Sequence, residues 1–526
     1  MSENRTVTRN ATIFSSATVV SRLLGLLRTA LIARTFGISL AASAFFFAYS
    51  IPNMLRRLSG EGALGGAFIP VFTEEMEKRG RRAAMRLSNS VGLAVSLILI
   101  ALMLLITLVL QSIGLFFSSS QKMVLVVRLT QVMLPYLFFI SLAGFGMAVL
   151  NSLNHFFVPA ISPAIHNAVL IGALVFLCPL MGAAKEEMIY GLAIGVLVGG
   201  AIQLGILYFP LKGKGYSLAT GVDFRAQGLR KILRLFLPGM FALAVTQVNA
   251  VADKLLAFFV KGHETSAPSE LFYGNLIVEL PLAVFGISLS VAVFPSLSRL
   301  RASGKMEQFR TTFSFALRQA MAIAFPASVG LILLQKPIVR LIYQRGVFLD
   351  EATTAVAPVM MCYAFGLFAY AAVKIIVPAF LSLQDARTPM RIGLGITALN
   401  FGMNCFAVFV MKRVWGLALA TSLSAAVQMI VLLYLLRGKI GAFGGRQIVT
   451  SVVRIILATS AMGGVTLLSS LAAARIISPG GGGYARIIQV VFPVSCGLIS
   501  YIIFCHLLNV REVREILLAF RRREGG

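Results

Sequence analysis

Long apolar stretches separated by short polar segments recur along the whole chain and predict membrane-spanning helices. A helix needs about 20 consecutive, mostly apolar residues to cross the hydrocarbon core of a bilayer. The predicted helices cover 11–36, 40–58, 84–115, 125–152, 160–182, 187–210, 230–260, 270–297, 310–334, 354–381, 388–411, 414–436, 447–474 and 484–509. The pattern therefore predicts an all-α polytopic membrane protein with about 14 transmembrane helices.

The positive charges of the predicted loops orient these helices. Lys and Arg crowd the segments 72–87, 211–234 and 297–310 and the tail after residue 510. The loops near residues 120, 185 and 262 carry one lysine each. Because short cytoplasmic loops carry an excess of Lys and Arg, both termini are predicted to be cytoplasmic. The segment 335–350 breaks the alternation, since it is predicted to be external yet contains Lys336, Arg340 and Arg345.

The composition supports a membrane protein and excludes several other classes. Of the 526 residues, 58% are hydrophobic and 13% are charged, whereas soluble domains have about 25% charged residues. A net charge of +28 would suggest nucleic-acid binding in a soluble protein, but here it concentrates in loops as the positive-inside rule requires, so no nucleic-acid partner is expected. The five cysteines form no CxxC pair and the four histidines have no metal-ligand spacing. No disulfide scaffold, metal or cofactor is therefore predicted.

Two pairs of similar segments, at nearly the same separation, indicate an internal repeat. Ala67–Pro70 resembles Ala292–Pro295, about 225 residues later, and Leu150–Pro159 resembles Phe380–Pro389, about 230 residues later. We therefore expect two pseudo-symmetric six-helix lobes of one orientation plus two C-terminal helices. The predicted divisions are an N-terminal lobe at 1–212, a cytoplasmic linker at 213–228, a C-terminal lobe at 229–437, helices 13 and 14 at 438–510 and a basic tail at 511–526.

Arginines within the first two predicted helices are the strongest functional signal. Arginine at mid-membrane depth costs roughly 2.5–3.5 kcal/mol on insertion scales, so a retained arginine there indicates a function. Guanidinium groups bind phosphates and carboxylates with two parallel hydrogen bonds. Arg22, Arg28 and Arg56 are therefore the predicted site for an anionic substrate, with Gly25 as the point where helix 1 bends. Arg34, like Arg57 and Arg318, is instead expected to form an ion pair or to reach the lipid headgroups.

Further charged residues are candidates for gating and for the second lobe. Glu61, between two glycines, could pair with an arginine in one conformation and release it in another. Lys254, Glu279 and Lys374 are the second-lobe candidates. There is no Walker motif, catalytic triad or carboxylate pair, so an enzyme is not predicted. Transport would draw on the membrane potential or on a gradient of an unidentified ion.

Several segments of the chain resemble the MurJ (MviN) family of lipid II flippases, within the multidrug/oligosaccharidyl-lipid/polysaccharide exporter superfamily. The most specific segments lie in the first 70 residues, and softer matches follow in the second half. These segments are Ser21–Arg28, Ala33–Gly37, Ile51–Arg57, Gly60–Ala63, Ala67–Pro70, Gln344–Phe348, Lys374–Ala379 and Asp385–Pro389.

The resemblance implies a transport function and assigns roles to residues. It implies two six-helix lobes around a central cationic cavity, with helices 13 and 14 forming a groove for the lipid tail. The cargo would be lipid II, the undecaprenyl-pyrophosphate-linked peptidoglycan precursor, flipped to the outer leaflet by alternating access. By the same resemblance, Arg22, Arg28 and Arg56 match the cavity arginines that hold the pyrophosphate, and Ser21, Asn53 and Glu61 match the surrounding motif positions.

The same resemblance implies a cellular setting. The protein would be a multi-pass protein of the bacterial cytoplasmic (inner) membrane, serving peptidoglycan biosynthesis, cell wall biogenesis and cell shape. Its partners would be lipid II and membrane lipids, with cell-wall synthesis proteins as further candidates, and it would act as a monomer.

Three positions depart from the family pattern. The family often has an acid after the second arginine, where this chain has Thr29, and an aspartate where it has Ser43. A further cavity arginine is expected in helix 8, where the matching residue is Leu276. These departures put the contribution of the second lobe in question, and Lys254 is the candidate substitute.

Three other functions are compatible with a polytopic chain. A flippase for another lipid-linked oligosaccharide would need the same cationic cavity, and only the motifs of helices 1 and 2 argue against it. A cation-coupled drug antiporter should contain intramembrane acids, whereas the first half contains arginines. A membrane scaffold without transport would leave the cost of the buried arginines unexplained.

Overall fold

A computed structural model shows a chain of α-helices. It describes residues 20–59, 63–116, 119–153, 155–217, 221–224, 227–263, 265–476 and 483–515, and these contain no β-strand. The helices are α1 (20–36), α2 (Leu40–Ser59), α3 (Ala63–Arg79), α4 (Arg81–Phe116), α5 (Gln121–Met133), α6 (Tyr136–Ser152), α7 (Phe157–Gly172), α8 (Lys185–Gly213), α9 (Gln227–Ala257), α10 (Ala267–Pro281), α11 (Ser288–Ala302), α12 (Met306–Leu333), α13 (Gln335–Tyr343), α14 (Asp350–Phe365), α15 (Leu367–Ser382), α16 (Arg387–Phe406), α17 (Val414–Ile440), α18 (Gly445–Ile476) and α19 (Gly483–Leu507).

Several predicted spans are single in sequence but broken in structure. The predicted span 125–152 consists of α5 and α6, which meet at an angle of 41°, and the span 354–381 consists of α14 and α15, bent by the same 41°. In the span 270–297, α10 and α11 are joined by a π-helical segment, Leu282–Ile287. A proline at the first break, Pro135, cannot donate a backbone hydrogen bond, which explains why that helix bends there.

Two helices lie where the sequence predicted loops. The charged segment 72–87 is helical except at Gly80, because α3 continues through it to Arg79. Ion pairs one turn apart stabilise this part of α3, with Lys78 Nζ 2.8 Å from Glu74 Oε1 and Arg79 Nη1 3.2 Å from Glu75 Oε1. The prediction of a loop here is therefore wrong.

The basic segment that broke the charge alternation also contains a helix. Within 335–350, α13 buries Val339 and Tyr343, and Arg340 Nη2 lies 2.6 Å from Asp350 Oδ1 at the start of α14. One of the three anomalous positive charges is thus neutralised locally. This segment is an amphipathic helix rather than a simple external loop.

The chain divides into two compact units, Met1–Leu255 and Leu256–Gly526. Each contains the same series of features. A proline-containing helix, α3 or α11, precedes a long helix, α4 or α12. The bent pair follows, which is α5 with α6 in the first unit and α14 with α15 in the second. The next helix, α7 or α16, continues into a π-helical segment, Ala173–Leu177 or Ala407–Met411. This shared order is consistent with the predicted internal repeat, while the division into two pseudo-symmetric six-helix lobes, with its boundaries, stays a prediction.

Eight described helices are long and apolar enough to cross a membrane, and the count reaches ten if each bent pair is one span. The polytopic all-α fold is thereby confirmed, and the total of 14 spans stays a prediction. In the first unit α2 packs against α5 and α6, and α8 packs against α6 and α7. In the second unit α18 packs against both α19 and α12.

Candidate functional site

Arg28 is held on α1 by a side chain from α7. Its Nη1 donates a hydrogen bond to Asn167 Oδ1 at 2.9 Å, and Asn167 Nδ2 donates to the main-chain oxygen of Ser21 at 3.0 Å. Asn167 is buried, and it therefore fixes both the guanidinium and the start of α1. α1 ends just before Gly37, whose positive φ of 63° accompanies a hydrogen bond from its N–H to the Ala33 oxygen.

The Nε atom of Arg28 is buried and has no hydrogen-bond partner in the described part of the chain. A buried donor that remains unsatisfied costs free energy, and most such groups in proteins are paired with protein or water. An anionic oxygen placed beside this guanidinium would satisfy the donor. Arg28 is therefore equipped to bind an anion.

Arg56 occupies the last turns of α2 and has a similar amide partner. Its Nε donates to Asn53 Oδ1 at 3.1 Å, one turn earlier on the same helix. Both residues are half-buried. An amide oxygen orients a guanidinium without neutralising it.

A buried histidine next to Asn167 contacts α2, the helix that carries Arg56. His166 is only 6% exposed on α7. Tyr136 stacks on the ring at 5.2 Å between centroids and Tyr49 stacks on Tyr136 at 6.0 Å. The hydroxyl of Tyr49 lies 3.5 Å from His166 Nε2. The aromatic column thus ties α2, α6 and α7 together beside the cationic groups.

Of two glycines beside these side chains, only one is required by a close approach. A Cβ on Gly25 of α1 would lie 3.5 Å from Asn167 Nδ2, which is ordinary van der Waals contact. A Cβ on Gly199 of α8 would lie 2.6 Å from His166 Nδ1, which is too short for any side chain, so glycine is required where α8 crosses the histidine. α1 runs as an unbroken helix through Gly25. The proposed bend at that residue stays a prediction.

Two of the three positions that depart from the family pattern are buried and uncharged. Thr29 and Ser43 are both fully buried. The hydroxyl of Thr29 donates to the Gly25 oxygen of its own helix at 2.9 Å, which satisfies it locally. Neither position supplies a carboxylate to balance the neighbouring arginines.

The remaining first-half candidates divide between residues that contact the site and residues that do not. Ser21 contributes its main-chain oxygen. Arg22 is half-buried one residue further along α1, and its side chain forms no hydrogen bond or ion pair with the described residues. Glu61 lies outside the described residues, as does the side chain of Arg57. The pairing proposed for Glu61 therefore stays a prediction.

The second-half candidates lie on three helices, α9, α10 and α15. Glu279 is exposed on α10 and accepts a hydrogen bond from Asn275 Nδ2 at 2.9 Å. Lys374 is exposed on α15, and no ion pair joins it to Glu279 in the described part of the chain. Lys254 and Leu276 are half-buried on α9 and α10. Their roles stay predictions.

Asn167, His166, Tyr49 and Tyr136 were not among the predicted site residues. One signal was available, because His166 and Asn167 are adjacent polar residues within an apolar span, and such residues are rare unless they function. Their partners could not be read from the sequence, since Arg28 and Asn167 are 139 residues apart. No group of three His, Cys, Asp or Glu among the described residues could hold a metal ion.

The groups around Arg28 and Arg56 have the donor chemistry that a phosphate-containing anion would need. They include two guanidinium groups in amide-lined, half-buried surroundings, with an unsatisfied buried donor on one of them. Charge-assisted hydrogen bonds of this kind are roughly twice as strong as neutral ones. The chemistry therefore matches a ligand with closely spaced anionic oxygens.

Comparisons with known proteins agree with this chemistry. A family model described as "Lipid II flippase MurJ" matches residues 32–478. A Vibrio cholerae serotype O1 protein named "Probable lipid II flippase MurJ" is 31% identical over 518 residues, which cover 96% of both chains. A Burkholderia cenocepacia protein named "Lipid II flippase MurJ" is 30% identical, covering 81% of this chain and 83% of the relative.

Solved structures match the fold over nearly the whole chain. The structure titled "Lipid II flippase MurJ, inward closed conformation" aligns with a TM-score of 0.77 and 26% identity, covering 96% of this chain and 100% of the other. An inward-facing MATE family transporter of the MOP superfamily aligns with a TM-score of 0.68 and 16% identity, covering 82% and 98%. The second match shows a shared fold.

Proposed function

Because the chain belongs to the MurJ family of lipid II flippases, we propose that it moves lipid II from the cytoplasmic to the outer leaflet of the bacterial inner membrane. It is a multi-pass transporter rather than an enzyme. The cargo is the undecaprenyl-pyrophosphate-linked precursor of peptidoglycan. Through this step the protein serves cell wall biogenesis and cell shape.

The observation that carries the proposal is the pair of amide-held arginines, Arg28 beside Asn167 and Arg56 beside Asn53, on two helices of one compact unit. A pyrophosphate offers several anionic oxygens within a few ångströms, and two guanidinium groups can bind it from two helices. Arg28 Nε, which lacks an acceptor among the described residues, would gain one from the ligand. Because Asn167 and Asn53 are neutral, they orient the arginines without competing for the pyrophosphate.

The proposed mechanism is alternating access. The pyrophosphate and sugar head enter from the cytoplasmic side, and the polyprenyl tail remains in the bilayer or along the groove predicted for α18 and α19. Arg22 joins Arg28 and Arg56 in neutralising the pyrophosphate. The energy comes from the membrane potential or an ion gradient, since flipping breaks no covalent bond.

The proposed setting has both termini in the cytoplasm and a monomer as the working unit. The basic segments of the predicted cytoplasmic loops support this orientation through the positive-inside rule. Proteins of cell-wall synthesis are candidate partners.

Transport of labelled lipid II in vesicles tests the proposal. Arg28→Ala and Arg56→Ala should each lower transport at least tenfold, because a hydrogen bond to a charged group is worth about 1.5–3 kcal/mol. Arg34→Ala is the matched control, since Arg34 is an exposed arginine of the same helix α1. It should retain transport within about twofold, in line with the small effect of exposed charges.

Two results would contradict the proposal. The cationic site is wrong if Arg28→Ala and Arg56→Ala transport lipid II as well as the unchanged protein. The choice of cargo is wrong if vesicles move another lipid-linked oligosaccharide, or a cationic drug, but not lipid II. Complementation of a flippase-depleted bacterial strain should follow the same order of variants.

A further inference from the structure

A second polar cavity lies in the C-terminal unit, between the start of α18, the segment after α19 and the middle of α12. Its volume is about 470 Å³. The α18 side contributes Arg446, Thr450, Ser451 and Arg454, and the segment after α19 contributes Arg511. The candidate arginines of α1 and α2 belong to the other compact unit. We refer to this cavity as the α18 pocket.

The α18 pocket carries an excess of positive charge. Four arginines and two glutamates line it. One pair is already satisfied, because Arg318 Nη1 lies 2.6 Å from Glu512 Oε1 and both side chains are largely buried. The guanidinium groups of Arg446 and Arg511 donate no hydrogen bond to the described residues, and Arg454 donates only to the Asn509 main-chain oxygen, at 3.4 Å. The pocket therefore has donors for an anion.

Ser451 provides an independent sign of a missing ligand. It lines the pocket, is 8% exposed, and its hydroxyl has no hydrogen-bond partner in the described part of the chain. The neighbouring Thr450 differs, since its hydroxyl donates to the Arg446 oxygen at 2.8 Å. The first turn of the 32-residue helix α18 also faces this region. Its free N–H groups and positive dipole end favour an anion in the same place.

An exposed apolar stripe runs beside the polar one along α18. Val449, Val453 and Ile456 are 62%, 50% and 43% exposed. Val449 lies three positions after Arg446, and Val453 lies three positions after Thr450. Because each residue turns the helix by about 100°, this spacing places the apolar stripe about 60° around the helix from the pocket residues. A ligand with an anionic head and apolar tails would fit both stripes at once.

We propose that the α18 pocket binds the phosphate group of an anionic phospholipid, with Arg446, Arg454 and Ser451 contacting the phosphate and the acyl chains lying on the apolar stripe of α18. Arginine guanidinium groups match phosphate oxygens in geometry and charge. The charge pattern places this end of α18 on the cytoplasmic side, where anionic lipids and basic protein segments attract each other. The lipid would fix the α18–α19 hairpin against α12.

Native mass spectrometry of the purified full chain with added lipids tests this site. The unchanged protein should retain phosphatidylglycerol in preference to zwitterionic phosphatidylcholine. The double variant R446Q/R454Q should retain about tenfold less phosphatidylglycerol, the loss expected for charge-assisted hydrogen bonds. Ser451→Ala should weaken retention by a smaller factor. Arg446 and Arg454 are exposed, so the double variant removes no core side chain from α18.

Arg475→Gln is the matched control, because Arg475 is an exposed arginine at the other end of the same helix. Arg475→Gln removes one positive charge, as each single substitution in the pocket does. It should change the retention of phosphatidylglycerol less than twofold. Equal retention by the control, the double variant and the unchanged protein would overturn the proposal. Stabilisation of the unchanged protein by inorganic phosphate, without retention of phosphatidylglycerol, would overturn the lipid as the source of the phosphate. Neither readout depends on flipping.

Discussion

Asn167 controls how much of the positive charge of Arg28 is available to a ligand. Asn167→Asp places a carboxylate oxygen where the amide oxygen now lies, 2.9 Å from the guanidinium, and it replaces the donor to Ser21 by a second acceptor. Asn167→Ala removes both contacts but leaves the charge of Arg28 intact. We therefore expect Asn167→Asp to bind lipid II about tenfold more weakly than Asn167→Ala, because the carboxylate competes with the pyrophosphate.

Lipid II binding to the two purified variants, followed by native mass spectrometry, checks this prediction. Thermal unfolding in detergent shows whether both variants keep the fold. Weaker binding by Asn167→Ala than by Asn167→Asp would mean that Asn167 acts through packing rather than through the charge of its neighbour. Combining Asn167→Asp with Arg28→Ala should add little further loss, since the two residues act as one unit.

Gly199 offers a test of packing around His166. A Cβ there would lie 2.6 Å from His166 Nδ1, so Gly199→Ala should lower the free energy of unfolding by about 1–3 kcal/mol through overpacking. Gly205, on the same helix α8, has nothing within 4 Å of the position of its Cβ. Gly205→Ala should instead be neutral or raise stability by up to about 1 kcal/mol. Thermal unfolding should separate the two variants, and equal melting temperatures would contradict the close approach.

At this scale the sequence indicated the charged residues but not their partners. Arg28 and Arg56 could be chosen because an arginine inside an apolar span is costly, and the structure gives each of them an amide partner. Asn167 and His166 were missed because their role depends on α7 packing beside α1 and α2. Local periodicity carries no information about such a contact between distant segments.

At the scale of helices, the ion pair between Arg318 and Glu512 joins α12 to the segment after α19. The side chains are 18% and 3% exposed, and the atoms are 2.6 Å apart. Glu512→Ala would leave a partly buried guanidinium without its partner, which costs about 3–5 kcal/mol in buried pairs. We expect a clear loss of thermal stability and earlier proteolysis after α19.

The matched control for this pair is Glu307→Ala. Glu307 pairs with Arg310 at 3.3 Å at the start of α12, but its side chain is 81% exposed. Exposed pairs contribute about 0–1 kcal/mol, so the melting temperature should barely change. A similar loss in both variants would show that the buried pair does not hold α12 and the segment after α19 together.

The helices that the sequence missed are those whose stability does not come from apolar periodicity. The charged end of α3 is supported by ion pairs from Glu74 to Lys78 and from Glu75 to Arg79, a spacing visible in the sequence. α13 is only nine residues long, too short for a span. The bends within the spans were also missed, because hydropathy averages over about 20 residues and a break of one or two residues leaves it unchanged.

At the scale of the molecule, the two units repeat one construction at a nearly constant separation. The π-helical segments begin at Ala173 and Ala407, and both bent pairs have angles of 41°. Six spans per repeat would return the chain to its starting side, so equivalent loops should face the same side of the membrane. An inverted repeat would place them on opposite sides.

Single-cysteine labelling in intact cells distinguishes these two architectures. Each variant lacks the five native cysteines and carries one new cysteine at an exposed position. Arg82 and Ser303 lie near the start of α4 and α12, and Ala183 and Arg413 lie just before α8 and α17. We expect an impermeant maleimide to label Ala183→Cys and Arg413→Cys from outside, and to reach Arg82→Cys and Ser303→Cys only after permeabilisation. The charges support this result, because basic residues crowd the segments 72–87 and 297–310. Arg82→Cys and Ser303→Cys are one equivalent pair, and Ala183→Cys and Arg413→Cys are the other. Labelling of the two positions of either pair from opposite sides would rule out the parallel repeat, and with it a cytoplasmic position for both termini.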